Sequence, residues 1–208
     1  MSAAIEHLVT SGIFRLDGQD FDVDNNVWIV GDEDEVIVVD AAHDAAAIIS
    51  AIGGRRVVAV VCTHGHNDHI TAAPDVAAAT GSDILLHPDD RMLWDVVHPG
   101  VETVAVADGD VVRVAGTDLT VLHTPGHSPG GVCLYAPDLR AVLSGDTLFH
   151  GGPGATGRSF SHFPTILDSI RDRLLSLPEE TRVLTGHGDA TTIGAEASAY
   201  DEWVARGH

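Results

Sequence analysis

The feature that constrains this chain most is a histidine-rich run that directly follows an apolar segment. Residues 57–61 read Val-Val-Ala-Val-Val, a continuous apolar run typical of a strand buried on both faces. Residues 64–69 read His-Gly-His-Asn-Asp-His, so three imidazoles and one carboxylate stand within six residues. Side chains that bind or react commonly lie on loops at strand ends. We therefore expect a fold in which a buried strand brings several polar side chains to one edge of a sheet.

The spacing within this run suits metal ions. In extended chain the side chains at i and i+2 share one face, so His64 and His66 can reach one ion together. Gly65 between them lets the backbone turn without a Cβ clash. Asp68 and His69 are adjacent and point differently, which suits a second ion beside the first. The alternative is a polar surface loop that is rich in histidine, but its position directly after a buried strand argues against that reading.

Three further candidate ligands follow later strand candidates. They are His127 in the turn 124–130, Asp146 in the segment 144–147, and His187 in the segment 185–188. Each lies in a turn that contains glycine. A site assembled on sheet edges by loops requires such a recurrence. Imidazole nitrogen and carboxylate oxygen are the ligands of zinc, and also of iron or manganese.

The charge balance restricts the partners of the chain. There are 31 acidic and 11 basic residues, for a formal net charge of −20, and all the basic residues are arginines. The absence of lysine excludes a Schiff-base lysine and a phosphate-loop lysine. Nucleic-acid binding depends on clustered basic side chains, so we predict no nucleic-acid partner.

Hydropathy and cysteine content predict a cytoplasmic protein without a membrane partner. The longest apolar runs last about half a dozen residues, whereas a membrane-spanning helix needs roughly 20. The first residues lack the pattern of a signal peptide. Cys62 and Cys133 lie in apolar, strand-like segments and are expected to be buried thiols, which suits a reducing compartment. The sequence does not indicate the oligomeric state.

The length of 208 residues and the hydrophobic content of 44% predict a single domain, residues 1–208, with a substantial core. Strand candidates lie at 27–30, 36–39, 57–61, 84–86, 111–114, 119–123, 132–135, 141–143 and 183–185. Helix candidates lie at 44–52, 70–80, 88–97, 164–177 and 194–205. Two halves, each with strands and helices, predict an α/β fold in which two sheets pack together with helices outside.

These residues together resemble the metallo-β-lactamase superfamily over essentially the whole chain. The resemblance depends on the HxHxDH run at 64–69, with His127, Asp146 and His187 at successive strand ends. It implies a four-layer αββα sandwich and a pair of divalent metal ions, with Zn favoured and Fe or Mn as alternatives. By position, the resemblance assigns metal 1 to His64, His66 and His127, metal 2 to Asp68, His69 and His187, and the bridge between them to Asp146. It also makes Asp40 the aspartate that orients the histidine run from behind. As a ligand of metal 2, Asp68 is the catalytic candidate, because it could orient the nucleophile or relay a proton.

Within the superfamily, the segments 124–130 and 145–149 look most similar to the glyoxalase II group of thioesterases. This chain departs from that group, because only 21 residues follow His187 and these cannot form the group's C-terminal helical extension. The segment 157–160, Gly-Arg-Ser-Phe, resembles the group's Gly-Arg-Thr/Ser-Asp stretch but carries Phe160 in place of Asp. The resemblance therefore implies a small-molecule substrate, a thioester of a low-molecular-weight thiol. The departures favour a thiol such as mycothiol or bacillithiol over glutathione.

The resulting hypothesis is thioester cleavage by a hydroxide that bridges two metal ions. Arg158 is a candidate contact for a substrate carboxylate, with a structural ion pair as the alternative. The glycine-rich segment 151–157 is expected to be a substrate loop, since it lacks the lysine of a phosphate loop. His43, His87, His123, His150 and His162 are expected to have supporting or structural roles. The alternative functions are a mononuclear iron persulfide dioxygenase, a lactonase, and a non-enzymatic metal-binding protein on the same fold.

Overall fold

The structure is a computed structural model that describes residues 2–16 and 18–207. The first sheet has six strands: β1 (Ala4–Leu16), β2 (Gln19–Gly31), β3 (Glu35–Val39), β4 (Arg56–Val61), β5 (Asp83–Leu86) and β6 (Val104–Ala105). They lie in that order across the sheet. The pairs β1–β2 and β2–β3 are antiparallel, whereas β3, β4, β5 and β6 run parallel.

The second sheet is built mainly from the C-terminal half. Its strands are β7 (Val111–Val114), β8 (Thr117–His123), β9 (Val132–Ala136), β10 (Ala141–Gly145), β13 (Arg182–Thr185) and β14 (Thr191–Thr192), in the order β14-β13-β10-β9-β8-β7. Between β10 and β13, the short strands β11 (Leu148–Phe149) and β12 (Gly152–Pro153) form a small hairpin. Only the pair β10–β13 is parallel in this sheet.

Helices connect the strands. They are α1 (Ala45–Ile52), α2 (Asn67–Ile70), α3 (Ala73–Thr80), α4 (Arg91–Val97), α5 (Phe163–Ser169), α6 (Ile193–Ala197) and α7 (Tyr200–Arg206). Short 3-10 turns cover Pro88–Asp90 and Pro137–Leu139, and a π-helical turn covers Ile170–Leu174. Within the described residues, no helix is long and apolar enough to cross a membrane.

Three apolar clusters define four layers. The first joins the outer face of the first sheet to α1, α3 and α4, with Val38, Ile48 and Trp94 buried in it. The second lies between the two sheets and includes Ile37 and Leu134. The third joins the second sheet to α5, the π-helical turn and α7. The layers are therefore helix, sheet, sheet and helix, which confirms the predicted αββα fold class.

Two predicted helices are broken. The segment predicted as one helix, residues 70–80, consists of α2 and α3, because the backbone N–H of Ala72 donates to the carbonyl of Ala41 and Pro74 has no N–H to donate. The segment 194–205 is likewise divided between α6 and α7. The segment 164–177 begins as α5 and continues as the π-helical turn, in which the N–H of Leu175 donates to the carbonyl of Ile170.

The hairpin of β1 and β2 is longer than the sequence indicated. Each strand has 13 residues, whereas only residues 27–30 were predicted as extended. Near its tip, the backbone N–H of Arg15 donates to Oδ1 of Asn67 (3.4 Å), and Nδ2 of Asn67 donates to the carbonyl of Arg15 (2.9 Å). The hairpin is thereby attached to the histidine-rich segment.

Candidate metal centre

All seven predicted ligands lie together at one edge of the two sheets. His64 and His66 follow β4, Asp68 and His69 lie on α2, His127 lies in the turn between β8 and β9, Asp146 follows β10, and His187 follows β13. Because β3, β4, β10 and β13 end at this edge, residues up to 123 positions apart in the chain become neighbours.

His64, His66 and His127 form a first group, in which the ligand nitrogens lie within 4.8 Å of one another. Nδ1 of His66 lies 2.9 Å from Nε2 of His127. The imidazole of His64 meets each of the other two edge-on, with ring centroids 4.7 and 4.9 Å apart. Three nitrogens therefore converge on one point, as a metal ion requires.

Asp68, His69 and His187 form a second group with the same closeness. Nε2 of His187 lies 3.2 Å from Oδ2 of Asp68 and 3.1 Å from Nε2 of His69. His69 is fully buried, whereas the side chain of His187 is 27% exposed. This group therefore opens toward solvent on the side of His187.

The carboxylate of Asp146 lies between the two groups. Its Oδ1 lies 3.4 Å from Nε2 of His69 in the second group. Its Oδ2 lies 3.5 Å from Nε2 of His127 in the first group and 3.6 Å from Nε2 of His187 in the second. One side chain thus contacts both groups, as a ligand shared by two ions must.

Four imidazoles are oriented through the nitrogen that faces away from the centre. Nδ1 of His69 donates to the carboxylate of Asp40 (3.0 Å), and Nδ1 of His64 donates to Thr63 Oγ1 (3.1 Å). Nδ1 of His187 donates to the backbone carbonyl of Asp24 (2.7 Å), and Nδ1 of His127 donates to that of Ala155 (2.8 Å). These partners assign the proton to Nδ1 and leave the Nε2 lone pair facing the centre. Metal-binding histidines are commonly held in this way.

Burial keeps two imidazoles of the first group, those of His64 and His66, neutral. It is the largest influence on His64 and holds its pKa well below the usual value, with the neighbouring imidazoles acting in the same direction. Burial, with His127 next, lowers the pKa of His66 to about 3. Neutral imidazoles are the form that binds a metal ion.

Two ionised carboxylates, Asp68 and Asp146, bring negative charge to the second group of ligands. Burial acts to raise the pKa of both Asp68 and Asp146, but the nearby histidines, His69 foremost, hold the pKa of Asp68 below its usual range and that of Asp146 at about 2. Burial acts to lower the pKa of His69, yet Asp146 and Asp68 raise it well above its usual value. The pKa of His187 is also raised, against burial, by its hydrogen bond with Asp68. Without a metal ion, protons on these imidazoles offset the charge of the two carboxylates, and a cation that binds here would take the place of those protons.

Three buried atoms without hydrogen-bond partners also indicate that these residues can hold two metal ions. Nε2 of His64, Oδ1 of Asp68 and Oδ1 of Asp146 are buried and lack a hydrogen-bond partner among the described residues. Buried polar atoms without a partner are rare and costly. All three belong to the predicted ligand set and carry lone pairs, so metal ions would satisfy them.

Asp40 lies where the resemblance placed it. Its Oδ1 accepts from the backbone N–H of Thr63 (2.7 Å), and its Oδ2 accepts from Thr63 Oγ1 (2.8 Å) and from His69 (3.0 Å). Sequence reasoning missed Asn25, whose Nδ2 donates to Oδ2 of Asp68 (3.1 Å) and whose Oδ1 accepts from Nε2 of His43 (2.8 Å). Its position at the start of the apolar run of β2 was the only signal available.

His87 and His123 lie outside this centre. Together with Asp89 they form a third close group, but their rings stack with centroids 4.2 Å apart and planes only 10° apart. Parallel rings direct their nitrogen lone pairs side by side rather than toward one point. Nε2 of His123 donates to the carbonyl of Pro129 (3.0 Å), which agrees with a structural role.

A cavity of about 220 Å³ opens beside His66 and His127. Its apolar lining includes Phe14 from the β1–β2 hairpin, Leu93 and Val96 from α4, and Phe160. Arg158 also lines it and is exposed. The predicted substrate residue therefore lies in the cavity next to the first group.

Comparisons with known proteins agree with this architecture. Residues 21–187 match the family described as Metallo-beta-lactamase superfamily. The chain is 34% identical over 186 residues to the Bacillus subtilis (strain 168) protein named "Probable metallo-hydrolase YqgX", covering 82% of this chain and 88% of that protein. It is 28% identical over 186 residues to "Hydroxyacylglutathione hydrolase GloC" of Haemophilus influenzae (strain ATCC 51907 / DSM 11121 / KW20 / Rd), covering 82% and 87%.

Among solved structures, TTHA1623 in a di-iron-bound form superposes with a TM-score of 0.76 and 32% identity, covering 84% of this chain and 93% of that one. The family match spans most of the chain, and its boundaries include all seven predicted ligands. The chain therefore belongs to the metallo-β-lactamase superfamily of metal-dependent enzymes.

Proposed function

We propose that this chain is a dinuclear metal-dependent hydrolase that cleaves a thioester of a small thiol. The observation that carries the proposal is the position of Asp146, with one oxygen facing His69 and the other facing His127. A carboxylate in contact with two groups of ligands suits a pair of ions better than a single ion.

His64, His66 and His127 would hold one ion, Asp68, His69 and His187 the other, and Asp146 would contact both. When bound, the ions supply a Lewis acid and lower the pKa of water toward neutrality. The mixture of imidazole and carboxylate donors favours zinc and also suits iron or manganese. The di-iron-bound form of TTHA1623 makes iron a specific alternative to zinc.

Asp68 is the residue that we assign to the reacting atoms. Its Oδ2 accepts from Nδ2 of Asn25, whereas its Oδ1 is buried without a hydrogen-bond partner among the described residues. A carboxylate held on one oxygen presents the other in a defined direction, so Asp68 can contact the ion of the second group and orient an attacking water beside it. Asn25 fixes the carboxylate, and His43 fixes Asn25.

The cavity beside the first group is the proposed substrate site. Phe14, Leu93 and Phe160 provide apolar surface, and Arg158 can contact a carboxylate. The relative named hydroxyacylglutathione hydrolase supports the thioester class. The lining includes two arginines, Arg15 and Arg158, so assays on thioesters of different thiols, including glutathione, decide which thiol is used. The proposed partner is therefore a small-molecule substrate, and we propose no binding to nucleic acid or to a membrane.

The proposal is tested by assaying the metal-loaded chain on matched thioesters and lactones, with oxygen uptake recorded on a persulfide. We expect thioester hydrolysis without oxygen uptake. Oxygen uptake with one iron per chain would establish the dioxygenase instead, and hydrolysis confined to lactones would establish a lactonase. A chain that binds metal but turns over none of these substrates would contradict the proposal.

A further inference from the structure

A fully buried carboxylate outside the predicted ligand set lies behind the first group of ligands. Asp90 is the last residue of the 3-10 turn Pro88–Asp90, which follows β5, and its exposure is 0%. The backbone N–H of Asp90 donates to the carbonyl of His87 (3.1 Å), which fixes the turn. Asp90 carries no recognisable signal in the sequence, because its neighbours are typical of the start of a helix.

Asp90 accepts three hydrogen bonds from the two loops that carry the first group. Its Oδ2 accepts from the backbone N–H of Gly65 (2.8 Å) and from Ser128 Oγ (2.7 Å). Its Oδ1 accepts from the backbone N–H of Gly130 (2.6 Å). Gly65 stands between two predicted ligands, and Ser128 directly follows the third. All three donors therefore lie within three residues of a ligand.

Close approach is possible because position 130 is glycine. A Cβ on Gly130 would lie 2.6 Å from the backbone nitrogen of Asp90 and 2.9 Å from its Cβ and Cγ. Such distances force the two segments apart. The contact between Asp90 and the backbone of residue 130 therefore depends on the glycine at that position.

The two loops belong to different sheets. The loop with His64 and His66 continues β4 of the first sheet, and the loop with His127 joins β8 and β9 of the second. The distance between these ligands depends on how the sheets are held at this edge. Hydrogen bonds to an ionisable oxygen are among the stronger ones in proteins, so one carboxylate bonded to both loops fixes the separation of the ligands.

We propose that Asp90 is a positioning residue for the first metal group and sets the distance from His64 and His66 to His127. The inference rests on the proposed function only in taking these three histidines as ligands of one ion. Asp40 holds His69 of the second group by direct contact, whereas Asp90 acts through the backbone and Ser128. Asp90 is then the buried aspartate that joins the loop after β4 to the loop between β8 and β9.

The test is the substitution Asp90→Asn, which keeps the shape of the side chain but replaces one accepting oxygen by a donor. Stepwise binding of Zn²⁺ alone is measured in competition with a chelator, and Co²⁺ spectra report the ligand geometry. His66→Asn, which removes one nitrogen from the first group, identifies the binding step that belongs to that group. We expect Asp90→Asn to weaken this step by about 10- to 100-fold, as for other supporting residues of metal sites, with little change in the second step.

Glu196→Gln is the matched control. Glu196 is also a buried carboxylate that accepts from a hydroxyl, Thr191 Oγ1 (2.7 Å), and from a backbone N–H, that of Gly151 (3.0 Å). Neither of these hydrogen bonds, to Thr191 and to Gly151, involves a predicted ligand. We expect this variant to lower the melting temperature and to leave both Zn²⁺ affinities unchanged, because its hydrogen bonds support a different part of the fold.

Equal weakening of both steps by Asp90→Asn, or wild-type affinities at a lowered melting temperature, would overturn the inference. If Asp90→Asn does not fold, Ser128→Ala removes one of the three hydrogen bonds. That variant must weaken the first-group step selectively, and an unchanged affinity would contradict the inference. Two bound ions without thioester hydrolysis in the wild-type chain would contradict the proposed function alone, since these affinities are measured without substrate.

Discussion

Oδ2 of Asp40 lies 3.0 Å from Nδ1 of His69, and both side chains are buried. The backbone of Asp40 is left-handed, with φ at 55°, a conformation that non-glycine residues adopt at a cost. The same carboxylate accepts twice from Thr63. A strained residue at the end of β3 thus orients a predicted ligand on α2 and the loop that follows β4.

Asp40→Asn should weaken metal binding by the second group. The amide oxygen of Asn can still accept from Thr63. The hydrogen bond with Nδ1 of His69 is weakened or lost, because the amide group is uncharged and presents either an oxygen or an N–H to that nitrogen. We expect the affinity of the second group to fall by about 10- to 100-fold and the unfolding free energy to fall by about 1–3 kcal/mol. Zn²⁺ titration and chemical denaturation measure the two effects. Unchanged affinity would show that Asp40 does not orient His69.

Removal of metal should destabilise the chain. Metal ions would satisfy the buried lone pairs of His64, Asp68 and Asp146, and a ligand at 1,000 times its dissociation constant stabilises a fold by about 4 kcal/mol. The melting temperature should therefore fall on dialysis against a chelator and recover when Zn²⁺ is restored. If neither the chelator nor the added Zn²⁺ changes the melting temperature, these atoms bind no ion in the folded chain.

Gly186→Ala should disturb the shared carboxylate. A Cβ at this position would lie 2.2 Å from Oδ1 of Asp146 and 2.6 Å from Cε1 of His69. Because small displacements at a reacting centre can cost about 100-fold in rate, we expect kcat to fall by about that factor. Gly188→Asn is the control, since a Cβ there meets open space although φ is 65°. Equal kcat in the two variants would contradict the packing argument.

The two thiols should be inert in the folded chain at pH 8. Burial raises the pKa of Cys133 to about 11 and holds the pKa of Cys62 well above its usual value. A raised thiol pKa means that the reactive thiolate is scarce at any pH below it. A thiol-reactive dye should therefore label neither cysteine under native conditions and both in denaturant. Rapid native labelling would contradict the observed burial.

Arg158→Ala should act on substrate binding rather than on the chemical step. If Arg158 contacts a substrate carboxylate, its loss raises KM by about tenfold for a thioester that carries a carboxylate and leaves kcat nearly unchanged. A neutral thioester of similar size is the matched control and should show no such increase. Equal effects on both substrates would indicate that Arg158 holds the loop rather than the substrate.

The sequence predicted the layers of the fold better than the exact limits of its elements. Apolar strands such as residues 36–39 and 57–61 were identifiable because burial on both faces leaves a local pattern. The strand β1 was missed, because its side chains alternate weakly and its pairing with β2 supplies the regularity. The break between α2 and α3 depends on a hydrogen bond from Ala72 to a residue 31 positions earlier, Ala41, which no local pattern reveals.

The same distinction applies to the site. The seven predicted ligands are recognisable since their chemistry and spacing are written in short segments, and the structure brings all seven together. Asn25 and Asp90 act through partners 43 and 38 positions away, Asp68 and Ser128. Their side chains belong to residue types that are ordinary at the surface, so only the packed structure identifies them. Ligation itself stays a prediction.

The proposed hydrolysis requires two metal ions bound to the same chain. Its most direct test is a Zn²⁺ titration of the metal-free chain in which thioester hydrolysis is followed at each addition. We expect a rate that keeps rising until two ions are bound per chain, with no further rise beyond that point. A maximal rate at one ion per chain, or an absence of hydrolysis with both ions bound, would contradict it.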